Sequence, residues 1–137
     1  MTRSELVDGP FDPAERLAGF LREAGPTAGA VVTFTGLTRS EAKAGGALHT
    51  LFLEHHPTLT ASSLRDIAED GARRFPVSAV EVVHRCGVIP PGEPIVWVAA
   101  ASAHRRAAFD AADYLMDRLK TEAYFWKRED GPEGSAW

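Results

Sequence analysis

Seven consecutive apolar residues, Ile95 to Ala101 (IVWVAAA), constrain this chain more than any other feature. The run is too short to span a bilayer, which takes roughly 20 residues, and unlike a half-exposed strand it shows no alternation. It therefore predicts a strand buried on both faces. The residues after it have helical periodicity. Over His104–Thr121, Ala108, Phe109, Ala112, Leu115, Met116 and Leu119 fall on one stripe, and Arg106, Asp110, Asp113 and Asp117 fall on the other.

The remaining elements follow from turn signals and periodicity. Asp12-Pro13 caps and starts a helix to about Glu23, which Gly25-Pro26 ends. Ala28–Thr38 is rich in β-branched residues and reads as a strand bent at Gly36. Arg39–Gly46 is a polar loop, and Ala47–His55 alternates as a second strand. A helix then runs from Pro57-Thr58 to Phe75. Val77–Val88 is a third strand, Pro90-Pro91-Gly92 a turn, Glu93–Ser102 the fourth strand, and Tyr124–Arg128 a short last one. From Ala47 onward the order is β-α-β-β-α-β, the split pattern of two helices on an antiparallel sheet. The expected class is α+β, one domain over residues 1–137, with an extra helix and strand in front.

Composition narrows the function classes. A chain of 137 residues with net charge −4 is not a general nucleic-acid binder. The single cysteine, Cys86, rules out an internal disulfide or a cysteine-based zinc cage, and burial is its default state. His55 and His56 are adjacent, so on a strand they point to opposite faces and cannot chelate one metal. The first residues, Met1-Thr2-Arg3-Ser4-Glu5, lack the pattern of a secretion signal, which sets cytoplasmic residence as the expectation. Membrane association is not expected.

Charge is nevertheless concentrated. Between His104 and Arg128, six basic residues face four acidic ones on an otherwise acidic chain. His104 and Arg105 break the helix pattern, projecting toward the core side and placing cations where the helix dipole favours anions. Either a bound phosphate or carboxylate compensates, with Ser102 as cap and Arg105 as clamp, or Arg105 pairs with a carboxylate elsewhere. Lys120 flanks the apolar stripe near the helix end. It is either a dipole-favoured surface lysine or a partly desolvated amine able to act as acid, base or nucleophile. Alternation puts Lys127 and Phe125 on one face and Trp126 on the other. That suits a planar anionic substrate, but core packing explains the aromatics equally well. Arg39 is either a plain surface charge or a mobile clamp.

Several segments together resemble the large, catalytic subunit of molybdopterin synthase. They are Gly29–Gly36 (GAVVTFTG), Leu53–Pro57 (LEHHP), Val83-His84-Arg85, Ser102–Arg105 (SAHR), and Leu119-Lys120 with Phe125–Glu129 (FWKRE). The similarity runs from about residue 10 to Trp137. It implies an α/β-hammerhead-type fold joined to an antiparallel sheet. The implied activity is a sulfurtransferase of molybdenum cofactor biosynthesis that turns cyclic pyranopterin monophosphate (precursor Z) into molybdopterin by installing two dithiolene sulfurs. The sulfur would come from a thiocarboxylate on the C-terminal Gly-Gly of a small ubiquitin-like subunit, within a heterotetramer built on a homodimer of this chain. By resemblance Lys120 and Lys127 are the catalytic lysines, while Arg39, His104, Arg105 and Phe34 bind substrate. No bound cofactor or metal is implied, and no catalytic cysteine is needed.

The chain departs from the family pattern at His56, where tyrosine is common, and at Cys86-Gly87-Val88, where an Ile-Gly-Glu type sequence is common. Many relatives continue past the position of Trp137 with a basic segment. The expectation is therefore weaker substrate binding, or replacement of a lent arginine by Arg128 or another basic group. The competing reading is a non-catalytic ferredoxin-like module that binds a phosphorylated effector in the same basic pocket.

Overall fold

The computed structural model describes residues 1–43, 45–132 and 134–137, so Ala44 of the polar loop lies outside the described residues. The elements in order are β1 (Thr2–Val7), α1 (Pro13–Ala24), β2 (Ala30–Leu37), β3 (Thr50–His55), α2 (Leu59–Arg74) and β4 (Val77–Arg85). They continue with β5 (Gly87–Ile89), β6 (Pro94–Ser102), α3 (Arg105–Glu122), β7 (Phe125–Gly131) and β8 (Gly134–Ala136). Among the described residues no helix is long and apolar enough to cross a membrane.

The apolar run lies where its composition demands. β6 sits inside a four-stranded sheet of order β1-β4-β6-β2, and Val96 to Ser102 are all buried. One face of the strand, Trp97, Ala99 and Ala101, packs with Phe20 and Leu17 of α1. The other, Val96 and Val98, packs with Leu64 and Ile67 of α2 and with Leu115 and Leu119 of α3. Leu115 is fully buried there, and truncating such a leucine to alanine costs about 2–5 kcal/mol. The α1 start is as expected: Pro13 opens the helix and Asp12 Oδ1 accepts the Ala14 N–H at 3.0 Å.

The β-α-β-β-α-β order exists, but its strands divide between two sheets. β3 and β7 leave the first sheet and join β5 and β8 in a second, antiparallel one of order β5-β3-β7-β8. The expected strand Val77–Val88 breaks after Arg85, because Gly87 adopts φ +85°, a left-handed conformation that turns the chain from one sheet to the other. β1, for which the sequence gives no apolar signal, pairs parallel to β4 as an edge strand. Its charges tie it to the layer behind: Arg16 grips Glu5 with two 2.9 Å bonds, and Arg3 lies 3.5 Å from Glu81. Glu81 is only 2% exposed; burial pushes its carboxyl pKa up, and the two arginines oppose that shift.

Candidate active site

The register of the first sheet decides which candidate residues can meet. β2 runs antiparallel to β6, with Ala30 opposite Ser102 and Leu37 opposite Pro94. Arg39, just past β2, therefore lies at the start of β6. α3 begins three residues beyond the other end of β6 and runs back over the sheet. Its last turn returns to the Arg39 end, where Leu119 shares a cluster with Val96, Ile95 and Phe125. Phe125 opens β7, and Lys127 follows on the same face of that strand, opposite Leu53. Phe34 lies midway along β2 on the α3 side. It is 45% exposed, and its ring leans toward Gly36, where an added Cβ would sit 3.3 Å from Phe34 Cε1 and 2.6 Å from Val96 Cγ1. Arg39, Lys120 and Lys127 thus belong to one end of the molecule, with Phe34 at mid-strand on the same side of the sheet.

His104 and Arg105 belong to the other. From Arg105 to Lys120 the helix advances 15 residues, about 22 Å at about 1.5 Å per residue, a gap two extended side chains do not close. The single basic pocket expected from the sequence is not formed within one chain. Both residues are exposed rather than turned to the core. Ser102 is not the cap: it is buried and its hydroxyl donates to the His104 carbonyl, so His104 occupies the cap position without a side-chain bond to the first turn. That turn carries no acidic residue, and among the described residues no carboxylate pairs with Arg105. Phe109, one turn on, is 55% exposed instead of joining the buried stripe of Ala108, Ala111, Ala112, Leu115 and Leu119.

At the lysine end the supports come from the chain itself. Thr38, at the root of the Arg39 loop, donates its N–H to the Glu93 carbonyl at 3.0 Å and accepts from Gly92 N at 2.7 Å. Glu93 is in turn held at 2.7 Å by the buried Arg85. Farther along the loop, both oxygens of Glu129 accept the Lys43 N–H at 3.2 Å. Glu129 shares the Lys127 face of β7, an alternation legible in the sequence, whereas its tether to Lys43, 86 positions away, carries no local signal. Under Phe125 lies His84, its ring stacked at 4.2 Å and 26°. His84 Nδ1–H donates to the Arg85 carbonyl at 2.9 Å, and burial lowers its pKa to about 4, so the ring is neutral.

The surroundings of the basic residues tell them apart. Lys120 and Lys127 are both exposed, so in the lone chain neither amine is desolvated. Arg128 points away from Lys127 by strand alternation, is bonded to Asp130 at 3.0 and 3.2 Å, and lies over the Phe52 ring at 4.7 Å. Its guanidinium is engaged by those contacts rather than turned toward Lys127. Cys86 is buried, and burial pushes its thiol pKa up, away from nucleophilic behaviour.

A two-sheet α+β protein that gathers two exposed lysines and a looped arginine at one end, with a bare cationic helix start at the other, has the equipment of an anion-binding group-transfer protein. Residues 6–122 match the family described as MoaE protein, and the chain belongs to that family. It is 50% identical over 132 residues to the molybdopterin synthase catalytic subunit of Caulobacter vibrioides, covering 96% of this chain and 85% of that one. Among solved structures it resembles the molybdopterin biosynthesis MoaE protein of Burkholderia ambifaria, with TM-score 0.83, 37% identity and coverage of 100% of this chain and 88% of that one. The fold is also that of a chain in the complex of subunits 1 and 2 of the molybdopterin-converting factor from Helicobacter pylori, with TM-score 0.81 at 18% identity, covering 98% of this chain and 88% of that one.

Proposed function

We propose that this chain is the catalytic subunit of a molybdopterin synthase, acting with a small sulfur-carrier subunit on cyclic pyranopterin monophosphate. The observation that carries the reading is the placement of Lys120 and Lys127, from separate elements, at one exposed end beside the Arg39 loop. An extended Gly-Gly tail laid across that end would supply the cover the lysines lack, and desolvation of an amine brings its titration toward neutrality. The tail's thiocarboxylate sulfur attacks a carbon of the pterin side chain and displaces an oxygen there, and water then hydrolyses the resulting thioester, leaving sulfur on the pterin and a carboxylate on the carrier. The lysines hold the carboxylate end and relay protons as the cyclic phosphate opens, while Arg39 holds the anion and Phe34 flanks the ring. The sulfur arrives from outside, so the reading requires neither a catalytic cysteine nor a bound cofactor.

The separation of the two helix ends supports a homodimer in which Arg105 and His104 of one copy complete the lysine site of the other. The free edge of β2, with Phe34 and Leu37 exposed, and the exposed Phe109 beside Arg105 are the kind of surface a second copy covers. The ferredoxin-like sensing module has no support: its four strands would share one sheet, and here they do not.

The test is Lys120→Ala assayed with thiocarboxylated carrier and precursor. Dithiolene formation should fall by about a thousandfold or more, the scale of losing a proton-transfer group that also orients the reactant, with circular dichroism and dimer size unchanged. Full turnover in that variant would remove Lys120 from the mechanism.

A further inference from the structure

Six residues separate Lys120 from Lys127, and the turn between α3 and β7 sets how the two amines stand to one another. Ala123 and Phe125 on either side pack against the core, but the Tyr124 side chain between them does not anchor the turn. A cleft of about 490 Å³ runs beside it, lined in part by Ser63, Thr121, Ala123 and Tyr124, and the Tyr124 side chain is 48% exposed. The Tyr124 main chain is held on both sides instead. Its N–H donates to Ser63 Oγ at 3.3 Å, and its carbonyl accepts from Thr60 Oγ1 at 2.5 Å.

Both hydroxyls come from the first five residues of α2, three residues apart on one face, and both are buried. A helical Ser or Thr usually returns its proton to its own helix, and Ser63 does so, donating to the Thr60 carbonyl at 2.7 Å. Thr60 instead spends its proton on a residue 64 positions away. Its oxygen also accepts the His56 N–H at 2.8 Å, and His56 Nδ1 accepts the Leu59 N–H at 3.0 Å, so the turn that carries the hydroxyls is itself fixed.

We propose that Thr60 and Ser63 are positioning residues that clamp Tyr124 and thereby set the spacing and orientation of Lys120 and Lys127. This rests on the reading of those lysines as a working pair. Neither hydroxyl need touch substrate; a displacement of about 1 Å in a reacting group can cost up to about a hundredfold in rate.

The variant to make is Thr60→Val, which keeps the volume and leaves the Tyr124 carbonyl and His56 N–H without their partner. The expected result is a fall of about tenfold or more in kcat with saturating carrier. KM for the pyranopterin should stay within about twofold, since substrate-binding groups are untouched. Amide exchange at Tyr124 should be faster, and Thr60→Ser, which keeps the hydroxyl, should restore kcat. Wild-type kcat in Thr60→Val, equal losses in the valine and serine variants, or a loss confined to KM would each overturn the proposal. If Thr60→Val does not fold, Ser63→Ala decides: a few-fold fall in kcat with faster Tyr124 exchange upholds the clamp, and unchanged kcat sinks it. Lys120→Ala measured alongside separates the two ideas. An inactive Lys120→Ala with a fully active Thr60→Val rejects the clamp alone. A fully active Lys120→Ala rejects the lysine pair, and the clamp with it.

Discussion

The two ends of α3 are built on opposite plans. At the C-terminal end Lys120 stands among elements of its own chain: the Arg39 loop rooted on Glu93, the Glu129 tether to Lys43, and β7 resting on His84. At the N-terminal end Arg105 and Arg106 follow an uncapped His104, the first turn has no acid, and Phe109 is uncovered. Cations at a helix start oppose the dipole by about 0.3–1 kcal/mol each, a cost that a bound anion offsets. One end is supported from within, and at the other the nearest carboxylate among the described residues is Asp110, 4.0 Å from Arg106. On the proposed function, a site that uses both ends would be shared between copies.

The sharpest way to break that contrast is subunit complementation. Lys120→Ala and Arg105→Ala, prepared separately, should each be nearly inactive in dithiolene formation. After dissociation and remixing, half the dimers are mixed. In each of these one site is doubly damaged and the other intact, so activity should return to about a quarter of wild type. If both residues served one site in the same chain, mixing would restore nothing.

Next in size is the Glu129 tether. Glu129→Ala removes the acceptor for Lys43 N–H and frees the far side of the Arg39 loop, at a cost near that of one ordinary hydrogen bond, about 1–1.5 kcal/mol, because the contact is long and exposed. KM for the pyranopterin should rise about five- to tenfold with kcat little altered. A kcat loss with unchanged KM would show that Glu129 serves Lys127 rather than the loop.

The sequence announced the parts of this contrast better than their arrangement. Local chemistry was legible: Asp12-Pro13 starts α1, the apolar run is the buried β6, and alternation separates Lys127 from Trp126. What depended on distant partners was not. β1 reads as polar chain because parallel pairing to β4 and ion pairs to α1, not an apolar face, hold it in place. The division into two sheets turns on the positive φ of Gly87, which glycine permits but does not announce. The site residues stand out through the family resemblance, supported for His104, Arg105, Lys120 and Lys127 by patterns on single elements. The distance between Arg105 and Lys120 was legible, since a single helix holds them about 22 Å apart at about 1.5 Å per residue, but which elements surround each end was not.

A smaller effect concerns His84, the support beneath the lysine end. Its pKa falls from 6.5 to about 4 on folding, so between those values the unfolded chain binds the extra proton and the native chain does not. Stability is therefore full above about pH 6.5 and declines as pH falls toward 4, by at most about 3 kcal/mol. His84→Phe keeps an aromatic ring against Phe125 and removes the titration. Denaturant midpoints should then be flatter with pH across that window than those of wild type. Identical slopes would mean that the ring is reached by water and protonates freely in the native state.

The smallest effect separates the two halves of α3 directly. Asp70 of α2 accepts from the Tyr114 hydroxyl, from Arg118 at 2.5 Å and from Arg74 at 3.1 Å, and these partners, Tyr114 first, hold its pKa at about 2. The tie grips the C-terminal half of α3, behind the lysine end. Because the folded pKa is depressed, its contribution is complete above about pH 4 and is lost as pH falls toward 2. Asp70→Asn should lower the melting temperature by a few degrees at neutral pH, and the two melting curves should converge near pH 2. Amide exchange should quicken from Tyr114 to Glu122 and stay unchanged from Arg105 to Ala112, since Asp70 braces only the later turns. Equal loosening along the whole helix would show that α3 moves as one rigid rod, and its two ends would then differ in what surrounds them but not in how firmly they are held.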